Sequence, residues 1–340
     1  MSIKRYSADK DNTISSALKS NLTGRATLAN MGSSDILEIF SIYGQSSSSS
    51  LEQSRILVNI PVSQISKDRA SNHIPDSGSV SFRVKLFNAA HGQTTPEKFS
   101  ISVHPIIRDW NEGFGLDMEE YRDLGDSNWT SASFGNAWSN TGGDFLNRDI
   151  LNMASLPIPS FYEQSFDGGS ENLDIDITGL VEEWLKDYEE LSSAATGSII
   201  FNTTDNGATP AVTGSNIKIY THQGDYRIFQ FSQTSGTAGK FVLVPTGSTG
   251  LSGSVINLCQ QINNHLGTAI AASPTSGSDG LKQLTASLTQ TIRGFHGNTL
   301  LSSSVYNSSG QIDTTRVEMV HFSGGLNLPN YGLLLKLSGS

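Results

Sequence analysis

Apolar and polar residues alternate strictly along several stretches of the first half of the chain. In "SVSFRVKLF", Val80, Phe82, Val84 and Leu86 fall on one side, with Ser81, Arg83 and Lys85 on the other. "KFSISVHPI" repeats the scheme with Phe99, Ile101 and Val103, and Leu173, Ile175 and Ile177 alternate with Asp174, Asp176 and Thr178. A period of two predicts strands with one buried face. "SDILEIFSIYG" is apolar on both sides and predicts a central strand, and "SRILVNIPV" predicts another. Strands at this spacing predict an antiparallel sandwich or barrel.

The rhythm changes at Thr178. Leu180, Val181, Trp184, Leu185 and Tyr188 recur at helical spacing. Thr178 is placed as the N-cap, and Glu182 and Glu183 fall in the first turn, where the helix dipole favours acids. This short helix is expected to lie across the sandwich with Trp184 buried. Between Trp110 and about Gly169 periodicity disappears. A loop this long is uncommon inside a compact domain and is often functional. The plainer reading is an excursion that covers one mouth of the sandwich.

From 203 to 325 the texture differs. "NIKIYTHQGDYRIFQFS" predicts a hairpin turning at Gln223–Gly224–Asp225, "KFVLVP" a strand, and "LKQLTASLTQ" a weaker one. Val255, Leu258, Cys259, Ile262 and Leu266 form the clearest helical stripe in the chain, with Gly267 at its end. The order β-β-β-α-β is that of a compact α+β module. The final strand, "NYGLLLKL", needs ladder partners and a covered face, so it is expected to rejoin the sandwich. Residues 1–30 are polar and broken and are expected to form an extended N-terminal arm. The expected organisation is thus an arm (1–30), a β-sandwich (31–202 plus 326–340) and an inserted α+β module (203–325).

Composition narrows the function classes. The 340 residues include 36% hydrophobic and 16% charged positions, which excludes a disordered chain, and 33 glycines favour turns and short strands. The serine tract Ser46–Ser50 is expected to be a mobile loop. A net charge of −10 without a long basic run argues against nucleic acid as partner. The absence of a bilayer-length apolar run argues against membrane insertion, and the first residues lack a signal-peptide core. One cysteine, Cys259, excludes an internal disulfide, in keeping with folding in a cytoplasm. It lies on the apolar helical stripe and reads as a buried thiol. The seven histidines are scattered, and no nucleophile-elbow, phosphate-loop or dinucleotide motif occurs.

One acidic patch remains in "WNEGFGLDMEEYRDLGD": Glu112, Asp117, Glu119, Glu120, Asp123 and Asp126. It fits a solvated face that meets a basic partner. It also fits a structural calcium site, for which Glu112, Asp117, Glu119 and Asp123 are the candidate ligands. A glycosidase acid/base pair is a third reading.

"LDIDITGLVEEWL", with the later "NYGLLLKL", resembles the signature of DNRLRE-type jelly rolls, sandwiches related to carbohydrate-binding modules with a D-x-T-x-x-V-x-x-W strand-to-helix step. In that family a short loop joins the two pieces. Here residues 203–325 separate them, which implies an insertion. The chain is more similar still to virion structural proteins of tailed phages of marine bacteria. The stretches that carry the likeness are "RYSADKDNTISSAL", "RATLANMGSSDILEIFSIYG", "IPDSGSVSFRVKLFNAAHGQTTPEKFSISV", "WNEGFGLDMEEYRDLGDSNW" and "ENLDIDITGLVEEWL". "VINLCQQINNHL" and "LTQTIRGFHGNT" resemble a small module of phage particle proteins.

These resemblances imply a mainly β, jelly-roll-like fold. They also imply a location in the virion, assembled in the host cytoplasm, with other virion proteins and further copies of the chain as partners. Virion proteins of this kind often continue past the last strand, which allows a partner-binding tail. The expected function is a non-enzymatic neck, tail, fibre or capsid-associated component without a cofactor. The alternative is an adhesin module that binds host glycan. In that reading Trp110, Trp129 and Trp138 stack on sugar rings. If buried, they anchor the long loop instead.

Overall fold

The computed structural model describes residues 3–44, 51–90, 96–117, 122–188, 192–201, 213–246, 250–276, 283–304 and 317–339. The fold is mainly β, with several antiparallel sheets, one parallel strand pair (Tyr226–Ser232 with Phe241–Pro245) and a small helical content. In chain order the first elements are β1 (Lys10–Ser15), β2 (Ser41–Tyr43), β3 (Leu51–Asn59), α1 (Val62–Ala70), β4 (Arg83–Leu86), β5 (Phe99–Pro105), β6 (Ser131–Ser133), β7 (Asn136–Ala137), β8 (Tyr162–Phe166), β9 (Leu173–Asp176) and α2 (Thr178–Tyr188). They are followed by β10 (Ala194–Phe201), β11 (Asn216–Tyr220), β12 (Tyr226–Ser232), β13 (Gly236–Ala238), β14 (Phe241–Pro245), α3 (Leu251–Leu266), β15 (Ile270–Ser276), β16 (Gln283–Arg293), β17 (Leu301–Ser304), β18 (Val317–Ser323) and β19 (Leu333–Leu337). No helix among the described residues is long and apolar enough to cross a membrane.

The chain separates into two compact units. One comprises Met1–Leu146, Ser155–Glu190 and Pro329–Ser340, and the other Asn147–Ala154 and Leu191–Leu328. The division falls near 190, not at 202/203, because β10 pairs with β16 and β18 of the second unit. Asn147–Ala154 also joins the second unit. Asn152 N–H donates to the Asn298 carbonyl at 2.6 Å, and Leu300 N–H to that of Ile150 at 2.8 Å.

The first unit is the sandwich. Its large sheet has the order β1-β3-β19-β5-β8, with β2 paired to the start of β3, and its second layer is the pair β4-β9. The chain crosses from β3 to β4, back to β5, and again from β8 to β9. The last strand then enters the middle of the large sheet between β3 and β5. This interleaving is jelly-roll-like. One face of the large sheet carries Ile56, Val58, Ile101, Val103, Leu333 and Leu335, all buried.

Strand register places Leu57, Leu334 and His104 on the opposite face, and these are buried too. The reason is the aperiodic segment. Ile106, Trp110, Trp129, Ala132 and Trp138 form one apolar cluster with Ile14, Leu57 and Leu334. The long excursion therefore covers a face of the sheet rather than a mouth of the sandwich.

The second unit packs a four-stranded sheet (β15-β16-β10-β18), a five-stranded sheet (β13-β14-β12-β11-β17) and α3 around a single core. The β11–β12 hairpin and α3 lie where periodicity places them. The strand order is longer than β-β-β-α-β: β13, β15 and β17 carry few large apolar positions, whereas β10 and β18 do carry them and pair with each other, β10 also pairing with β16.

Three further expectations are corrected. The N-terminal 30 residues are not an arm: β1 pairs along β3, and Asn12, Thr13, Ile14 and Asn30 are fully buried. In "SDILEIFSIYG" only Ser41–Tyr43 is strand, and Ile42 and Tyr43 are exposed, so this is an edge piece and not a central strand. Thr178 does not cap α2. Its Oγ1 accepts from Phe82 N–H at 2.8 Å, while Asp176 Oδ1 accepts from Thr178 N–H at 2.9 Å. The Asp-x-Thr step thus ties β9 to the residues before β4. Helix α1 escapes the pattern because only Val62 and Ile65 of its nine residues are buried. It is held to α2 by a two-pronged ion pair, with Arg69 Nη1 and Nη2 donating to Glu182 at 2.9 and 2.7 Å. The serine tract Ser46–Ser50 lies outside the described residues.

His104 is buried between the rings of Phe145 and Phe161, with centroids at 4.6 and 5.4 Å. Burial pulls its pKa down from 6.5 to about 3, with Lys336 and Arg55 adding to the fall. A folded-state value below the unfolded one means that the unfolded chain takes up the proton first. Stability is then lost as pH drops below about 6.5 toward about 3, by roughly 1.4 kcal/mol per pH unit from this group. Urea midpoints at pH 6 and pH 4 should fall less in His104→Phe than in the parent. An unchanged slope would show that His104 is not held neutral.

Candidate functional site

The segment from Ile106 to Leu146 is built from the inside outward. At its base is a buried ion pair. Arg108 Nε donates to Asp144 Oδ2 at 2.6 Å, with the two side chains 8% and 0% exposed. Arg108 Nη1 and Nη2 donate to Asn136 Oδ1 and Ser139 Oγ at 2.7 and 2.8 Å. Asp144 also accepts from the Ser139 and Asn140 N–H groups, each at 3.0 Å. Burial raises the Asp144 carboxyl pKa, opposed by Arg108 and these two N–H groups. The pair joins the two ends of the segment.

Three tryptophans fix its back. Trp110 Nε1 donates to the Tyr331 carbonyl at 2.8 Å, and Lys10 Nζ lies 4.7 Å from the Trp110 ring centre. Trp138 Nε1 donates to the Asn128 carbonyl at 2.8 Å. The Arg55 guanidinium lies 5.1 Å from the Trp129 ring and donates to the Gly142 carbonyl at 2.8 Å. Trp110, Trp129 and Trp138 are 1%, 8% and 5% exposed. None offers a ring face to a sugar, which overturns their reading as a stacking platform. They anchor the segment.

Polar residues of the N-terminal 30 lock it from the side. Asn12 Nδ2 donates to the Glu112 carbonyl and to Ser127 Oγ, while its Oδ1 accepts from Met31 N–H. Asn30 Oδ1 accepts from Gly115 N–H at 2.9 Å. The backbones approach so closely that a Cβ on Gly115 would lie 2.0 Å from the Asn30 carbonyl oxygen, and one on Gly32 2.5 Å from that of Glu112. This contact requires the second glycine of "WNEGFG", Gly115. Gly115→Ala should cost about 1–3 kcal/mol in urea unfolding, as overpacking does. A neutral result would mean that the two segments separate freely.

The acidic residues are spread over this frame. Glu112 Oε1 accepts from Asp11 N–H at 2.8 Å, and Asp123 Oδ2 from Phe114 N–H at 2.8 Å. Burial, followed by the charge of Asp123 and a hydrogen bond with it, raises the Asp126 carboxyl pKa. Asp117 is exposed, and Glu119 and Glu120 lie outside the described residues. Among the described residues no three Asp, Glu, His or Cys groups come together to hold a metal. Cys259 is buried on α3, and burial pushes its thiol up to about 12, well away from a reactive thiolate.

The side chains left facing solvent were not anticipated. Phe114, Leu116, Leu124 and Phe134 are 73%, 66%, 54% and 81% exposed. They lie on adjoining backbone, because Phe114 N–H donates to Asp123 and Phe134 N–H to the Gly125 carbonyl at 3.0 Å. A sequence signal for them does exist. Phe114 sits between Gly113 and Gly115, Leu124 precedes Gly125, and Phe134 precedes Gly135. Gly113 and Gly135 hold φ of +95° and +69°, so these apolar residues ride on turns, not in strands. Compared with protein-family models, curated proteins and solved structures, the chain matches none of them.

Proposed function

We propose that the chain is a non-enzymatic structural component of a phage particle, acting through protein–protein contacts. One observation carries the reading: four large apolar side chains are held outward on a segment whose back is pinned by three buried tryptophans and a buried ion pair. Exposed apolar clusters mark interaction surfaces. A surface already ordered before binding loses little conformational freedom when a partner arrives. The resemblance to virion proteins of tailed phages supplies the setting, a neck, tail, fibre or capsid-associated position in the virion, with assembly in the host cytoplasm. Quantitative mass spectrometry of purified particles is expected to find the chain at a fixed copy number relative to the other particle proteins. Its absence from particles that infect normally would end this reading.

A further inference from the structure

We infer that the patch of Phe114, Leu116, Leu124 and Phe134 docks a different protein, through an apolar segment flanked by Lys or Arg, and not a second copy of this chain. The inference rests on the contact-protein reading and names the partner's chemistry. The apolar residues alone would accept either occupant, and the charges around them decide. Among the described residues of 109–137 the carboxylates are Asp109, Glu112, Asp117, Asp123 and Asp126, and the cation is Arg122. Asp109 is engaged by Lys10. Burial first, then the neighbouring charge of Asp123, raises the Asp126 pKa, and Asp123 underlies Phe114 by accepting its backbone N–H.

A two-fold contact between copies sets a patch against itself. Each of these carboxylates would then face its own kind, in a chain that already carries a net charge of −10. Like charges brought together across an interface cost several kcal/mol. A segment with basic flanks reverses the sign. Its cations meet the Asp123 and Asp126 carboxylates while its apolar centre covers the phenyl and leucyl groups. The other faces stay available for self-assembly.

The test uses the full chain and a labelled 18-residue amphipathic peptide of Leu and Lys, with a Leu/Glu peptide of the same pattern as control. The Leu/Lys peptide should bind saturably by fluorescence anisotropy, and the Leu/Glu peptide should not. Phe134→Ser with Leu124→Ser should weaken binding about tenfold or more, as loss of central anchors does, with the melting temperature unchanged. If the double variant melts early, Phe134→Ser alone carries the comparison. Asp126→Asn should weaken binding less and flatten its dependence on salt. Sedimentation should show the same oligomeric state for the parent chain and for Phe134→Ser.

The inference is overturned by no peptide binding, by equal binding to a folded double variant, or by equal binding of both peptides. A dimer that the Phe134 substitution dissolves would assign the patch to a second copy. Any of these results leaves the particle reading standing, whereas absence from particles would end that reading without touching the peptide result.

Discussion

Asp144→Ala is expected to lower stability by about 3–5 kcal/mol, because it strands a buried guanidinium and removes the acceptor of two backbone N–H groups. Arg108 is 8% exposed, and its other side-chain partners among the described residues, Asn136 and Ser139, are neutral. The loss should show in the urea midpoint. It should be accompanied by faster amide exchange through 106–146, since Asp144 closes that segment on Arg108. Replacing both partners with apolar residues of similar volume should recover part of the loss, because breaking a buried pair costs more than replacing it. A loss below about 1 kcal/mol, the size of a surface substitution, would show that the pair does not hold the segment.

Trp184→Ala should be of similar size, about 3–5 kcal/mol, as for other large core truncations. The helix α2 owes its place to one stripe. Leu180, Val181, Trp184 and Leu185 are all 0–1% exposed, and packing of such a stripe supplies most of the stability of so short a helix. The indole N–H finds no hydrogen-bond partner among the described residues. Trp184→Phe therefore strands no partner group and should recover most of the loss. If Trp184→Phe is as damaging as Trp184→Ala, the indole has a polar role that packing does not explain.

What could be read from the chain follows from locality. The α2 stripe, the α3 stripe at Val255, Leu258, Cys259, Ile262 and Leu266, and the alternation of Leu173 and Ile175 are all short-range patterns, and each stands where its period puts it. Leu333–Leu337 was legible as a strand but not as one buried on both faces. The cover over Leu334 comes from residues some two hundred positions earlier.

Asn12, Thr13 and Asn30 misled for the same reason. A polar N-terminal stretch reads as solvated, yet Asn12 is paired to Glu112 and Ser127, about a hundred residues away. No local pattern announces such a bond. The local sequence around the tryptophans does not separate anchoring from sugar stacking; their burial does. The contact patch was missed because apolar residues in an aperiodic loop read as core, although the glycine beside Phe114, Leu124 and Phe134 marks them as turn residues.

The central claim is that the outer side of 106–146 is a contact surface used inside a particle. Hydroxyl-radical footprinting of Phe114, Leu124 and Phe134, in the free chain and in assembled particles, tests it most directly. All three should label readily in the free chain and be protected severalfold in the particle, while exposed Phe87 in the same unit provides the reference. Equal labelling of the three in both states would contradict the account.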